Sequence, residues 1–274
     1  MRSQQLVIRL QAVVTAAVLC AGVVATVTHD NSTRGVPVAG GQVLRLVQRA
    51  PLQIDQAASV RMDMSLHISG DGVDGSVHVE AEFDPQSKVG EGSADAAGHT
   101  LRYMQSADTL YAPIAEGQTL IYSGKHYVGL TISGGQSDQL TGSDGLGYLQ
   151  LLAGAGGQVL RYETSTIDGV HVTRYHVNVD VAAALARTPE QLRSTYADQL
   201  STLGLTTIPL DVWLDDQGSP RQLKLSLTAQ GTTAEILIHL TPSDKPVHVE
   251  LPSADDVYMA SSAQEFAAIA YGVN

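Results

Sequence analysis

Two neighbouring segments in the first third of the chain alternate between apolar and polar residues, and this pattern constrains the fold more than any other feature. Their apolar positions are Val60, Met62, Met64, Leu66 and Ile68, followed by Val77, Val79, Ala81 and Phe83. A period of two places all the apolar side chains of a strand on one face of a sheet. The pattern therefore predicts two strands with one buried face and one exposed face, the latter carrying Arg61, Asp63, Glu80 and Glu82.

The glycine-rich stretch 70–75 separates the two segments and predicts an antiparallel hairpin. A turn closing near Gly72 and Val73 would place Leu66 opposite Val79, and Ile68 opposite Val77. The stretch also matches G-x-G-x-x-G, but a dinucleotide site requires a helix after the glycines. A strand follows here, and two aspartates would repel phosphate, so the stretch is interpreted as a turn.

The rest of the chain favours more strands and a few helices. Strands are predicted near residues 101–105, 109–112, 119–123, 126–132, 159–164, 170–179, 208–214, 223–227, 234–240 and 247–251. Helices are predicted near residues 43–50, ended or kinked by Pro51, and near 146–152, 181–203 and 260–270. The predicted fold is α+β, a strongly curved antiparallel half-barrel of about 10–11 strands with short helices covering its concave face.

The N-terminus carries an export signal. Arg2 and Arg9 precede an apolar run from Leu10 to Val27, and positive charge on that side alone predicts export of the remainder. The run is just long enough to span a bilayer, so an uncleaved anchor and a cleaved signal both stay open. The predicted organisation is a signal or anchor at 1–29, a linker at 30–41 and one domain at 42–274. That domain is expected on the extracytoplasmic face of the cell membrane, or secreted after cleavage.

Cys20 is the only cysteine and lies inside the apolar run. It has no cysteine to pair with, so it is interpreted as a small hydrophobic residue. Lipidation is the alternative, but Leu19 stands where a lipidation signal has a small residue, and the apolar run continues beyond Cys20.

Composition excludes several classes of function. The net charge of −12 would repel a nucleic acid, and no basic cluster offsets it. The chain has no Gly-x-Ser-x-Gly motif, and its carboxylates alternate along strands or occupy turns, so no enzyme activity and no cofactor is predicted.

Histidine pairs are the remaining candidates for a metal site. His67 and His78 could face each other near Glu80, and His239 and His248 could do the same. Zinc requires three or four ligands, and all four histidines lie at polar positions, so no metal site is predicted.

Several consecutive motifs resemble the LppX/LprAFG lipoprotein family of actinobacteria, which has the LolA/LolB-like fold. The motifs lie at 58–64, 108–111, 124–128, 149–152, 167–180 and 210–218, within a resemblance that covers about residues 43–258. Two departures are Tyr127, where a Trp is common, and the degraded lipidation site. The resemblance implies a curved sheet over helices that enclose a lipid-binding cavity, a role in carrying lipids or glycolipids across the envelope, and no catalytic residues.

The resulting hypothesis is a membrane-associated carrier of lipid or glycolipid. Its partners would be a lipid or a lipid-linked glycan, the membrane through the N-terminal segment, and as a further candidate an envelope transporter. The residues predicted to line the cavity are Met62, Met64, Leu66, Ile68, Val77, Val79, Ala81, Phe83, Leu149 and Leu152. The alternative is an envelope sensor or interaction module of the same fold with a filled core. An exported hydrolase, a third hypothesis, lacks a recognisable site.

Overall fold

The computed structural model describes residues 36–37, 41–70, 73–96, 98–106, 109–131, 152, 155–187, 206–229 and 232–272. Within them the dominant element is one sheet of thirteen strands. The strands are β1 (Val36–Pro37), β2 (Ser59–Gly70), β3 (Val73–Asp84), β4 (Val89–Ala96), β5 (His99–Ser106), β6 (Thr109–Pro113), β7 (Tyr127–Thr131), β8 (Ala155–Ile167), β9 (Val170–Asp180), β10 (Thr207–Asp215), β11 (Pro220–Ala229), β12 (Thr232–Ser243) and β13 (Val257–Ala260). The helices are α1 (Gly41–Ile54), α2 (Val181–Arg187), α3 (Ala263–Tyr271) and a 3-10 turn (Ala254–Asp256).

The strand order is β1-β8-β9-β10-β11-β12-β2-β3-β4-β5-β6-β7-β13. Among the described strands, β13 and β7 form a parallel pair and the other neighbours are antiparallel. Different strands lie at the two ends, so the sheet is open. The predicted class, a curved, mostly antiparallel sheet with a few short helices, is confirmed.

The register aligns apolar side chains in rows across the strands. One row passes from β9 to β5 through Tyr175, Val212, Leu223, Ile238, Met64, Val79, Ala94 and Leu101. We call the side of the sheet that carries this row the apolar face and the opposite side the polar face. Because residues paired across strands point the same way, each row continues one face from strand to strand.

Two clusters of buried side chains form on the apolar face. In the larger cluster, α1 packs against β8, β10 and β11 and buries Val47, Ala50 and Ile54. In the smaller, α3 packs against β5, β7 and β13 and buries Phe266 and Ile269. The apolar spacing of each helix matches the helical period, which is why one side of each can be buried.

The hairpin register predicted for β2 and β3 is wrong by two residues. Leu66 lies opposite Val77, and Met64 lies opposite Val79. β2 ends at Gly70 and β3 begins at Val73, so only Asp71 and Gly72 connect them. Asp-Gly is a sequence that is favoured in two-residue hairpin connections.

Two other predictions of secondary structure are wrong, since residues 119–123 form turns and residues 247–251 are irregular. Of the two alternatives for Pro51, an end of the helix is excluded, because α1 continues to Ile54. Pro51 and Ile54 are both buried, and this burial offsets the backbone hydrogen bond that proline removes. β4 was not predicted at all.

Several predictions lie outside the described residues: the signal or anchor segment 1–29 with Cys20, most of the helix near 146–152, and the helical region after Arg187. Within the described residues, no helix combines the length and the apolar character needed to cross a membrane.

Replacing Gly92 tests how closely the central strands pack. An added Cβ would lie 2.5 Å from the backbone oxygen of Glu80 and 2.8 Å from the hydroxyl oxygen of Tyr103. Gly92→Ala should therefore lower the free energy of unfolding by about 1–3 kcal/mol in a urea titration. Ser93→Ala, one residue along on the polar face, is the control and should change it by less than about 0.5 kcal/mol. Equal urea midpoints of unfolding for the two variants would contradict the close packing around Gly92.

Candidate functional site

The apolar face gathers the residues predicted to line a cavity. Within the described part of the chain, six of them are buried in the larger cluster: Met62, Leu66, Ile68, Val79, Ala81 and Phe83. Met64 and Val77 are half-buried and pack against the same cluster, and Leu152 is buried within it. Leu149 lies outside the described residues. The members of this set on β2 and β3 therefore share one side of the two strands, and Leu152 packs in the same cluster.

Three of the half-buried apolar residues that pack against the larger cluster lie on the central strands, between the two helices. Met64 is on β2, Val77 on β3 and Ala94 on β4, whereas α1 packs mainly on β8, β10 and β11 and α3 on β5, β7 and β13. Ala94 packs against both buried clusters. The described residues thus leave a partly covered apolar strip on β2–β4, which we call the central strip and define by Met64, Val77 and Ala94.

The polar face carries a hollow of about 700 Å³ across β9, β10, β11, β12 and β2. Its lining includes Arg174, Asp211, Trp213 and Lys224, and the register brings these together from three adjacent strands. We call it the polar hollow. Its volume is in the range of small-molecule sites.

A charged network forms one wall of the polar hollow. Asp211 accepts a hydrogen bond from Arg174 Nη2 at 2.6 Å, and its other carboxylate oxygen lies 2.9 Å from His176 Nδ1. The guanidinium carbon of Arg174 lies 4.7 Å from the ring centre of Tyr162 and 5.2 Å from that of Trp213. Cation–π attraction and the Asp211 hydrogen bond together hold Arg174 in place.

The environment of Asp211 favours its ionised form. Burial raises the pKa of the Asp211 carboxyl group, but hydrogen bonds from His176 and Arg174, together with their charges, outweigh burial. The net result is a pKa below the ordinary value of 3.8.

Another carboxylate, Asp215, is explained by the local turn. One of its oxygens accepts from the backbone amides of Gln217 and Ser219, and the other accepts from Arg221 at 2.8 Å. The carboxylate thereby fixes the connection between β10 and β11. Its partners account for its burial without a catalytic role.

Three side chains on the polar face could hold a metal ion. The ligand atoms of Asp63, His78 and Glu80 all lie within 4.8 Å of one another. Asp63 and His78 are half-buried and Glu80 is exposed. Nε2 of His78 lies 3.4 Å from Oε1 of Glu80, and its Nδ1 lies 3.7 Å from Oδ1 of Asp63. Three protein ligands are the number found at catalytic zinc sites, although the set here is open to solvent.

The histidine pairs suggested by the sequence do not form. His67 lies opposite Ser76, with its Nδ1 3.0 Å from the serine hydroxyl, because each β2 residue pairs with a β3 residue two positions earlier than predicted. His239 lies opposite Asp63 on β2, and His248 lies in an irregular segment. The three-residue set forms because the corrected register places Asp63 opposite Glu80.

The polar hollow was missed by sequence reasoning. Trp213, the only tryptophan of the chain, occupies a polar position of the predicted strand 208–214 and lies opposite Arg174. Arg174 and Asp211 also occupy polar positions of predicted strands. Their convergence depends on the pairing of β9 with β10, and only that register would have revealed the site.

Comparison with known proteins supports the fold. A scan against protein-family models finds no match, and no curated protein sequence matches. Among solved structures, LprF from Mycobacterium bovis matches with 14% identity and a TM-score of 0.52, over 80% of this chain and 100% of LprF. This likeness shows that the chain has the fold that the sequence resemblance implies.

Two further structures are similar at lower scores. Lipoprotein LppX from Mycobacterium tuberculosis has 14% identity and a TM-score of 0.47, over 77% of this chain and 100% of LppX. A LolA superfamily protein from Nitrosomonas europaea has 7% identity and a TM-score of 0.34, over 76% of this chain and 96% of its own.

Replacing Asp211 tests the charged network. Asp211→Asn should lower the free energy of unfolding at pH 7 by about 2 kcal/mol, because Arg174 and His176 lose a charged partner. A depressed carboxyl pKa stabilises the fold above the ordinary pKa, and this contribution is lost as the pH falls through the lower, folded-state value. The difference between wild type and variant should therefore be constant above about pH 5 and shrink below pH 3.8. A difference that grows on acidification would contradict the assignment.

Proposed function

We propose that the chain binds a lipid or lipid-linked molecule against the central strip and carries it on the extracytoplasmic side of the cell membrane. The observation that supports this proposal is the half-buried apolar surface of Met64, Val77 and Ala94 between the two buried clusters. An apolar ligand could bind where this surface is left partly uncovered.

The physical basis of binding would be removal of acyl chains from water. Burial of apolar surface is worth roughly 25 cal/mol per Å², or about 0.8 kcal/mol for each methylene group. A chain laid along the central strip needs no covalent step and no catalytic group. The proposed role is therefore binding and transfer.

The fold shared with LprF adds support, because it is the fold for which the sequence resemblance implies a lipid-binding cavity. The signal or anchor at 1–29, the linker at 30–41 and the domain at 42–274 stay predictions that fit this role. Lipidation of Cys20 stays an alternative mode of attachment.

An exposed apolar pair supports contact with a bilayer during transfer. Leu120 is 89% exposed and Ile121 is 66% exposed, in the turns between β6 and β7. Tyr122 fixes these turns by packing its ring 4.9 Å from that of Tyr258. Two side chains are too small for a stable protein interface, which needs about 800 Å² from each partner, but they suit shallow insertion among lipids.

The alternative is a sensor or interaction module with a filled core. It is favoured by the complete burial of part of the larger cluster, where Val212, Leu223 and Ile238 have no exposed surface. The two functions differ in one observable, because only the carrier contains bound lipid.

Filling the central strip should displace lipid. Ala94→Phe adds a ring between the two clusters, so lipid per mole of protein purified from native membrane should fall several-fold, as measured by extraction and mass spectrometry. Ser93→Phe, one residue along on the polar face, is the matched control and should leave bound lipid unchanged. Absence of lipid from the wild-type protein would overturn the carrier proposal in favour of the filled-core module.

Removing the exposed pair should slow transfer without emptying the protein. Leu120→Ser combined with Ile121→Ser should reduce the rate of fluorescent-lipid transfer between neutral phosphatidylcholine vesicles several-fold, while co-purified lipid stays constant. The control is Leu52→Ser, which removes another exposed leucine on α1. Equal loss of transfer in the control would mean that general surface hydrophobicity, and not this pair, contacts the vesicle.

A further inference from the structure

The polar hollow lies on the opposite face of the sheet from the central strip, and the role proposed above does not use it. We infer that the polar hollow binds a neutral, hydroxyl-rich ligand, specifically an oligosaccharide of uncharged hexoses. This inference rests on the lining of the hollow and stands whether or not the apolar face carries lipid.

The charge of the lining favours an uncharged ligand. Its permanently charged side chains are two cations, Arg174 and Lys224, and two anions, Asp211 and Glu235. The two positive and two negative charges of the lining sum to zero, whereas the whole chain carries a net charge of −12. An anionic ligand would be repelled by Asp211 and Glu235, and a cationic ligand would be repelled by Arg174 and Lys224. The hollow therefore does not compensate a charged ligand for the hydration that it loses on binding.

The lining also offers hydrogen-bonding groups that are not already used. Within the described residues, the side chains of Gln222, Lys224 and Glu235 form no hydrogen bond or ion pair. Together they present donors and acceptors from β11 and β12. A sugar hydroxyl both donates and accepts hydrogen bonds. A ring with several hydroxyls therefore matches this mixture of donors and acceptors better than a ligand that can only donate or only accept.

An aromatic ring supplies the remaining element of a sugar site. Trp213 lines the hollow, and its ring packs against the guanidinium group of Arg174. Arg174 is held in turn by a hydrogen bond of 2.6 Å from its Nη2 to a carboxylate oxygen of Asp211. The C–H groups of a hexose ring form an apolar surface that can pack on an indole. Because the Asp211 network orders this wall before binding, little conformational entropy is lost when the ligand arrives.

The same chemistry could come from a soluble wall glycan or from the headgroup of a neutral glycolipid. The test therefore has two arms, both read from the fluorescence of Trp213, the only tryptophan in the chain. The first arm titrates the full chain with maltohexaose, cellohexaose, mannohexaose and galactotetraose. The second uses phosphatidylcholine vesicles with and without digalactosyl diacylglycerol.

At least one probe should shift the Trp213 emission saturably with a Kd below about 1 mM. Lys224→Gln and Glu235→Gln should each weaken binding about tenfold, with unchanged melting temperature, because neither side chain has a partner within the described residues. Glu91→Gln, an exposed residue of β4 outside the hollow, is the control and should bind like wild type.

A response to soluble sugars identifies a free glycan as the source, and a response to the glycolipid vesicles alone identifies a headgroup. Either response supports the proposed site if the Lys224 and Glu235 variants weaken that response. Failure of every probe to shift the emission overturns the inference, as does binding that survives both substitutions together. Co-purified lipid, measured on the same samples, reports the function of the apolar face separately.

Discussion

The pairing of β12 with β2 is the interaction on which the rest of the structure depends. The strands β2–β7 and β8–β12 are two runs in which strands consecutive in sequence are antiparallel neighbours, and twelve residue pairs between β2 and β12 join the two runs into one sheet. The apolar row crosses this junction at Ile238 and Met64. α1 strengthens the union, because it precedes β2 in sequence but packs on β8, β10 and β11. Both candidate sites follow from the junction, since the polar hollow includes strands of both runs and the central strip begins at Met64 on β2.

Much of this fold could be predicted because alternation is a local signal. The strands that contain Met62, Val79, Leu210 and Leu225 alternate clearly, and each is present with its apolar side buried. β4 was missed because its apolar positions are Gly90, Gly92, Ala94 and Ala96, residues with little hydrophobic signal and low strand propensity. Its neighbours β3 and β5 make it a strand, through pairing that no local pattern records.

The functional sites were less predictable than the fold. The apolar residues predicted to line a cavity on β2 and β3 do share a face of the sheet. Alternate residues along a strand point to the same face, so the sequence spacing was enough to predict this. The polar hollow depends on which strands become neighbours, and Asp211 meets His176 only through the register of β9 and β10. A two-residue error in one hairpin was enough to propose a pairing of His67 with His78 and to overlook Asp63 beside Glu80. Contacts between side chains of strands that are distant in sequence are thus the part of a β protein that sequence patterns specify least.

The parallel pairing of β13 with β7 has a consequence for the order in which the protein folds. During synthesis β7 emerges well before β13, and until then the outer edge of β7, with Val128 and Leu130, has no strand beside it. Unpaired edges of this kind recruit strands from other chains, so aggregation would compete with folding during this interval. Residues 254–271 close this edge: Asp256 Oδ1 accepts a hydrogen bond from the backbone amide of His126, β13 adds its strand, and α3 covers the apolar side. Folding conditions that slow this last step should therefore lower yield more than they lower the stability of the finished protein.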